Sequence, residues 1–161
     1  MTRGLALVAT ALLGCADPSA CEHGDDPAVV LGRPGDGAFV PLRDHEVLAI
    51  ADAPQGGYGV PVRVRTRGLS ASNRSTATIA MSMQLQGEPA GAFTLRGYPL
   101  LCEGADIGGS VGVQVVPLDP ARFGTPEAIA GLAGQTAVLA VTLTDDDGEK
   151  ATETAIVELA L

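Results

Sequence analysis

Hydrophobic and polar residues alternate along the chain from residue 28 to its end. In the segment Tyr58–Arg67, one face consists of Val60, Val62, Val64 and Thr66. The other face carries Arg63, Arg65 and Arg67. Because successive side chains of a β-strand point to opposite sides, a strand with one buried face produces this pattern. We therefore predict a strand here and an all-β domain around it.

Further strands are predicted wherever an alternating or short apolar segment ends at a cluster of turn residues. These segments are 28–31, 39–42, 46–51, 76–86, 92–96, 100–102, 110–116, 137–144 and 152–161. In segment 110–116, Val111, Val113 and Val115 are expected to share one side. The last two segments flank residues 145–148, whose sequence DDDG is typical of a hairpin turn. Strands at this spacing favour an antiparallel β-sandwich, and a small closed barrel is the alternative.

One short helix is predicted near residues 125–133. Thr125 can cap its first turn, Pro126 suits the first helical position, and Glu127 favours the positive end of the helix dipole. Two glycines that follow limit the helix to about two turns.

The composition indicates one domain, since the chain has 161 residues. Hydrophobic residues make up 46% of the chain and aromatic residues only 3%, so the core must consist of Val, Leu, Ile and Ala. The net charge of −9 argues against nucleic acid or an anionic membrane surface as the main partner. No cofactor is predicted.

The N-terminus has the pattern of a secretory signal. Arg3 precedes an apolar stretch of eleven residues, GLALVATALLG, at positions 4–14. A membrane-spanning helix needs about 20 apolar residues, so this stretch is too short. Its end, LLGC at positions 12–15, resembles the lipobox of bacterial lipoproteins. That resemblance implies cleavage before Cys15 and lipid attached to Cys15; the alternative is an ordinary signal peptide that is cut elsewhere.

This interpretation divides the chain into a signal peptide at 1–14, a flexible tether at 15–27 and a β-sandwich domain at 28–161. By analogy with lipoprotein sorting, Ala16 after the lipidated cysteine favours the outer membrane. Lipidation of Cys15 leaves Cys21 and Cys102 as an even pair, which could form a disulfide in an oxidising compartment. Two unpaired thiols are the alternative.

The order of the features resembles a group of uncharacterised bacterial envelope lipoproteins with one immunoglobulin-like sandwich domain. The residues that carry the resemblance are FVPL at 39–42, QGGY at 55–58, Arg65, GL at 68–69 and DDDG at 145–148. It spans residues 28–161 and implies the sandwich fold, but no ligand. In these relatives a histidine often follows the QGGY aromatic residue. Here that position is Gly59, so no metal or polar role of that histidine is carried over.

Three patterns are candidates for chemistry. Ser110 lies in a G-x-S-x-G sequence, but a nucleophile elbow needs a helix after the serine, and a strand is predicted there. The aspartates at 145–147 are interpreted as turn residues, with a calcium site as the alternative. The side chains of Arg63, Arg65 and Arg67 could bind an anion or pair with acidic residues of neighbouring strands.

These observations predict a non-catalytic, lipid-anchored cell-envelope protein that acts as a surface or periplasmic interaction module. It would contact the membrane through the lipid on Cys15 and have an envelope protein as partner. The alternative function is binding of an anionic small molecule or glycan by the face of Arg63, Arg65 and Arg67. A divergent esterase that uses Ser110 is the third hypothesis.

Overall fold

The computed structural model describes residues 20–54, 56–104, 106–110 and 112–161. The strands in chain order are β1 (Ala28–Gly32), β2 (Glu46–Ala49), β3 (Ala51–Asp52), β4 (Tyr58–Arg67), β5 (Thr76–Leu85), β6 (Glu88–Gly104), β7 (Ile107–Ser110), β8 (Gln114–Pro117), β9 (Thr136–Thr144) and β10 (Lys150–Ala160). The helices are α1 (Pro120–Phe123) and α2 (Pro126–Ala130). The described chain is therefore mostly β, as predicted.

The strands form one strongly curled mixed sheet, a half-barrel, in the order β1-β4-β7-β6-β5-β9-β10-β2. Strands β3 and β8 pair with β4 beside this path. Neighbouring strands are antiparallel except β10 and β2, which are parallel and pair from Val157 with Glu46 to Ala160 with Ala49. The sheet is thus not wholly antiparallel, and its strands are not divided into the two separate sheets of the predicted sandwich.

Strand β6 explains why the strands form one sheet instead of two. It pairs with β5 over its first part and with β7 over its last part, and so joins both halves of the sheet. The sequence predicted two short strands here, at 92–96 and 100–102. Between them, Gly97 has a φ of 70°, and the pairing register with β5 shifts between Leu95 and Tyr98. A bulge of this kind bends a strand without ending it.

Strand β4 begins and ends at the predicted residues. Its predicted inner face is buried, with Val60 and Val62 fully inaccessible to solvent. In β5, alternation over the predicted segment places Ile79 and Met83 on one face, and both residues lie in the core. Period-two alternation therefore identified the buried faces of these strands, because each has one face on the core and one on solvent.

Three further predicted strands differ from the structure. Segment 46–51 is divided into β2, which pairs with β10, and β3, which pairs with β4. Segment 39–42 contains only an isolated bridge, between Gly32 and Pro41. Segment 110–116 contains the end of β7 and most of β8. Of the predicted face, Val111 lies outside the described residues. Val113, which lies between these strands, is 40% exposed, whereas Val116 is fully buried. The break between β7 and β8 shifts the phase of the alternation, so a single pattern across the segment could not predict both strands.

The predicted helix near residues 125–133 is α2, where the Thr125 hydroxyl accepts a hydrogen bond from the Ala128 N–H at 3.3 Å. A second helix, α1, was not predicted. The Asp119 carboxylate caps α1 by accepting a hydrogen bond from the Ala121 N–H at 2.9 Å. Each helix therefore begins with a capping residue followed by proline. The prediction of one helix was wrong, although the same signal occurs twice.

The signal peptide, Cys15 and the first tether residues lie outside the described residues. The described part of the predicted tether, residues 20–27, is mostly exposed but is attached to the domain at Cys21. Cys21 is buried, and its N–H donates to the Ala71 carbonyl at 2.7 Å, while the Ala71 N–H donates back at 3.0 Å. Cys21 is joined to Cys102 of β6 by a disulfide bond with an S–S distance of 2.07 Å. The disulfide therefore fixes this segment to the long strand that organises the sheet.

The turn between β9 and β10 contains a buried carboxylate. Asp145 accepts hydrogen bonds from the N–H groups of Ser70 at 2.9 Å, Asp147 at 3.1 Å and Glu149 at 2.9 Å. Two of these bonds shape the turn itself, and the bond from Ser70 ties the turn to the loop after β4. Hydrogen bonds to a charged acceptor are stronger than those between neutral groups.

Replacing both Cys21 and Cys102 by serine should lower the free energy of unfolding by about 4.5 kcal/mol. In the chain-entropy model the crosslink restricts the unfolded chain over a long loop, here with a sequence separation of 81 residues. Urea denaturation measures the change. Cys15→Ser is the matched single-cysteine control and should leave the denaturation midpoint unchanged. A double variant as stable as the parent would contradict this account.

Asp145→Ala should lower the free energy of unfolding by about 3 kcal/mol, because three backbone N–H groups lose the buried, charged side chain that accepts their hydrogen bonds. Asp147→Ala is the control at an exposed position, where the carboxylate contacts only the Ser70 hydroxyl at 2.8 Å. Its effect should remain below about 1 kcal/mol. Denaturation curves of the two variants test the difference, and equal effects would refute the special role of Asp145.

Glu153→Gln should stabilise the protein at neutral pH. Burial, and to a lesser degree the negative charge of Asp44, raises the pKa of Glu153 above its ordinary value of 4.5. The ionised carboxylate therefore destabilises the folded state, and this effect grows as the pH rises from the pKa of the unfolded chain through the raised pKa of the folded protein. Below the pKa of the unfolded chain, Glu153 is protonated in both states and the effect is absent. The gain in melting temperature from Glu153→Gln should disappear below pH 4.5. Glu158→Gln, at an exposed position of the same strand, is the control; a gain independent of pH would exclude this cause.

Candidate functional site

A cleft of about 830 Å³ lies between β6 and β8. At one end, β6 joins β7 through the pair Leu100 and Ser110. Beyond this pair, residues 88–99 of β6 have β5 as their only strand partner among the described strands. Strand β8 pairs instead with β4, from Gly59 to Val62. The two strands that border the cleft are therefore not paired with each other along its length.

The two strands meet again at the other end of the cleft. The Asp119 N–H donates a hydrogen bond to the Ala90 carbonyl at 2.7 Å. Gly91 lies so close to Pro117 that a Cβ atom on Gly91 would clash with the Pro117 carbonyl oxygen. Glycine is thus the residue that permits this contact. The cleft is closed at both ends and opens towards solvent between them.

The walls of the cleft are apolar. Ile79 pairs with Leu95 and Met81 pairs with Phe93 across the β5–β6 ladder, so these side chains share one face of the sheet. Ile79 and Met81 are buried, Phe93 is half-buried and Leu95 is 39% exposed. Val113 is exposed to a similar degree beside β8. The lining therefore changes gradually from the protein core to an accessible apolar rim.

The cleft lining contains no Lys, Arg or His residue in the part of the chain that the structure describes. Its one carboxylate belongs to Asp119, which caps α1. Polar groups are supplied by residues such as Tyr58 and Gln114. The volume lies within the range of about 300–1,000 Å³ that is typical of small-molecule sites, which are also mostly apolar with a few polar groups. The cleft is therefore the candidate site.

The predicted arginine face has a different environment. The Arg65 Nε donates to a Glu103 carboxylate oxygen at 2.8 Å, and its guanidinium lies 4.6 Å from the centre of the Phe39 ring. Arg63 donates to the Gly37 carbonyl at 2.6 Å and also lies over Phe39. Arg63 and Arg65 thus both contact the loop after β1, and Arg65 also pairs with Glu103 of β6.

Arg67 lies apart from this group, beside a second, shallower cavity of about 570 Å³. The other side chains of this cavity are mainly acidic, and they include Glu22, Asp25, Asp26 and Asp106. Such surroundings repel a bound anion. The structure thus places the three arginines on one strand but does not bring them together into one anion-binding cluster.

The Ser110 hydroxyl forms hydrogen bonds with the backbone. Its hydroxyl accepts a hydrogen bond from the Val64 N–H at 3.2 Å and donates one to the Gly112 carbonyl at 3.0 Å. Ser110 also lowers the pKa of Tyr98 slightly, but burial dominates and raises it to about 12. The hydroxyl thus acts as a backbone partner where β7 ends, and a strand rather than a helix follows, unlike a nucleophile elbow.

The other two aspartates of the 145–147 turn also contact the protein. Asp146 accepts hydrogen bonds from the Thr76 N–H at 2.9 Å and the Thr76 hydroxyl at 3.1 Å. Asp147 accepts one from the Ser70 hydroxyl at 2.8 Å. These carboxylates therefore connect the hairpin turn to the neighbouring loop. Within the described residues, no group of three or more His, Cys, Asp or Glu side chains is arranged to hold a metal ion.

Among the described residues, no helix is long and apolar enough to cross a membrane. No family model matches the chain, and no curated protein matches it. Gly59, which follows Tyr58 in β4, lies where no side chain fits. Gly59 is buried, and a Cβ atom there would clash with the Val116 carbonyl oxygen.

Sequence reasoning did not identify the cleft. Some of its residues, such as Met81 and Leu95, belong to segments that were predicted as strands, whereas others, such as Gly91 and Asp119, do not. The opening itself depends on β6 and β8 being unpaired with each other, which alternation cannot reveal. Two signals were present: the methionines on one face of β5, and Gly91 in the middle of an apolar segment, which often marks a close approach of another backbone.

Proposed function

We propose that this protein is a non-catalytic, lipid-anchored module of the bacterial cell envelope, and that it binds its partner molecule at the cleft between β6 and β8. The cleft carries the proposal because it combines an accessible apolar rim, such as Leu95, with a core-lined interior. Concave apolar sites of this size are the usual location of ligand binding. The proposed anchor would place the cleft at a membrane surface.

Two observations support the location in the envelope. The signal-like sequence ends at Cys15 with the residues of a lipobox. The disulfide between Cys21 and Cys102 agrees with an oxidising compartment. The outer membrane is the proposed destination, on the analogy of Ala16 at the position after Cys15. An envelope protein as partner is part of the same proposal.

An immunoglobulin-like sandwich remains our proposal for the relationship of this fold to other proteins. The curl of the sheet brings β1 against β10 and β2 against β4. These contacts between distant parts of the sheet support a comparison with the two facing layers of a sandwich. The long strand β6 would then be shared by both layers.

Anion binding by the arginine face is less well supported. Arg65 has an acidic partner in Glu103, and an incoming anion would have to compete with that carboxylate. The cleft needs no such rearrangement, and for this reason we prefer it as the binding site.

Cys15→Ser should move the protein from the membrane fraction to the soluble fraction of the producing bacterium, because it removes the atom to which the lipid would be attached. Fractionation and immunoblotting measure the distribution, and intact mass spectrometry reports the acyl chains. Ser19→Ala, in the same predicted tether, is the control and should leave partitioning unchanged. Unaltered membrane partitioning of Cys15→Ser would refute the anchor.

A further inference from the structure

We infer that the cleft between β6 and β8 holds one small, uncharged, mainly aliphatic molecule. This inference rests on the proposed function, since it names the class of ligand for the same site. It follows from the closed ends of the cleft, the absence of a counter-charge in its described lining, and the chemistry of its walls.

The closed ends favour a small molecule over a peptide strand. A peptide that extends a sheet needs an edge along which it can continue at both ends. Here the pair Leu100–Ser110 closes one end, and the hydrogen bond from Asp119 to Ala90 closes the other. An extended chain that entered alongside β6 would meet protein in both directions. The occupant must therefore fit between these contacts and enter from the open side.

The charge of the cleft lining disfavours an anionic ligand. Arg122 is not a lining residue, and its guanidinium donates a hydrogen bond to the carbonyl of the lining residue Pro89 at 2.5 Å. No cationic side chain belongs to the described cleft lining, and the Asp119 carboxylate stands at one end. The whole protein carries a net charge of −9, which adds a repulsive field. The Asp119 carboxylate already accepts a hydrogen bond from the Ala121 N–H, and a cationic ligand would have to compete with this N–H for the carboxylate. An unpaired charge in apolar surroundings is costly, so a neutral ligand is favoured.

The walls favour a flexible aliphatic ligand. Met81 and Met83 lie side by side on the inner face of β5. Methionine side chains are unbranched and polarisable, and they adapt to ligands of different shapes. The aliphatic rim of Leu95 and Val113 continues this surface to solvent. Phe93 and Tyr58 are the aromatic residues of the described lining, so the cleft offers two rings and several alkyl groups for contact.

The test uses the full chain with Cys15→Ser, so that no attached lipid competes for the site. The probe is N-phenyl-1-naphthylamine, an uncharged dye whose fluorescence rises in apolar surroundings. We expect saturable binding with one dye per chain. Dodecanol should displace the dye, and dodecanoate should be about tenfold less effective because its carboxylate finds no cation in the cleft. Equal displacement by both would overturn the claim that the ligand is uncharged.

Leu95→Glu places a charge at the rim of the cleft and should weaken dye binding about tenfold. Leu101→Glu is the matched control, because Leu101 lies on the same strand with the same exposure of 39% but outside the cleft. It should bind the dye like the parent. Equal weakening in both variants, or no saturable binding by the parent, would refute the site.

A second pair of variants guards against misfolding. Val113→Glu changes the other rim, and Val30→Glu is its control at nearly equal exposure on β1. Thermal melting followed by circular dichroism identifies folded variants, and dye binding is compared only between those. If Leu95→Glu and Val113→Glu instead convert a dimer to a monomer, and the parent binds no dye, a second copy of the chain is the occupant and the inference fails.

The outcome can be separated from that of the proposed function. If the protein binds no dye but its membrane partitioning depends on Cys15, only the inference about the class of ligand is refuted. Loss of Cys15-dependent partitioning with intact dye binding would remove the anchor and leave the ligand site.

Discussion

The structure depends on the continuity of strand β6. Its 17 residues exceed the usual length of a strand, and its pairing changes from β5 to β7 along its course. Since both pairings belong to one strand, the two halves of the sheet cannot separate into independent layers. The sheet curls instead, and its concave side becomes a single aliphatic core.

The same continuity produces the cleft. Strand β6 is held by β7 at one end and, through Ala90 and Gly91, by the segment of Pro117 and Asp119 at the other, whereas β8 pairs with β4. The backbone thus leaves an opening in the wall of the half-barrel, and side chains of the core line it. An apolar recess of this kind would be a liability if nothing covered it, because exposed apolar surface attracts other molecules. The proposed ligand would cover this surface.

Polar side chains outside the cleft act mainly as structural connectors. Asp145 organises the last hairpin, Ser110 serves as a partner for the backbone of β4, and Arg65 pairs with Glu103. Sequence motifs that suggested calcium binding, hydrolysis and anion binding thus have local structural explanations. Each places a hydrogen-bonding group where a strand ends or a loop packs, and there backbone groups need partners.

The sequence by itself determined the buried faces of the regular strands, the cap of α2 and the turn chemistry at residues 145–148. These features depend on neighbouring residues, as in β4, where Val60 to Thr66 alternate with arginines. Only the tertiary structure decided that β6 is one strand, that β2 joins β10 in parallel and that β8 stands apart from β6. Such choices depend on pairing between distant residues. One alternating pattern is compatible with several strand orders, because alternation specifies which face is buried but not which strand lies beside it.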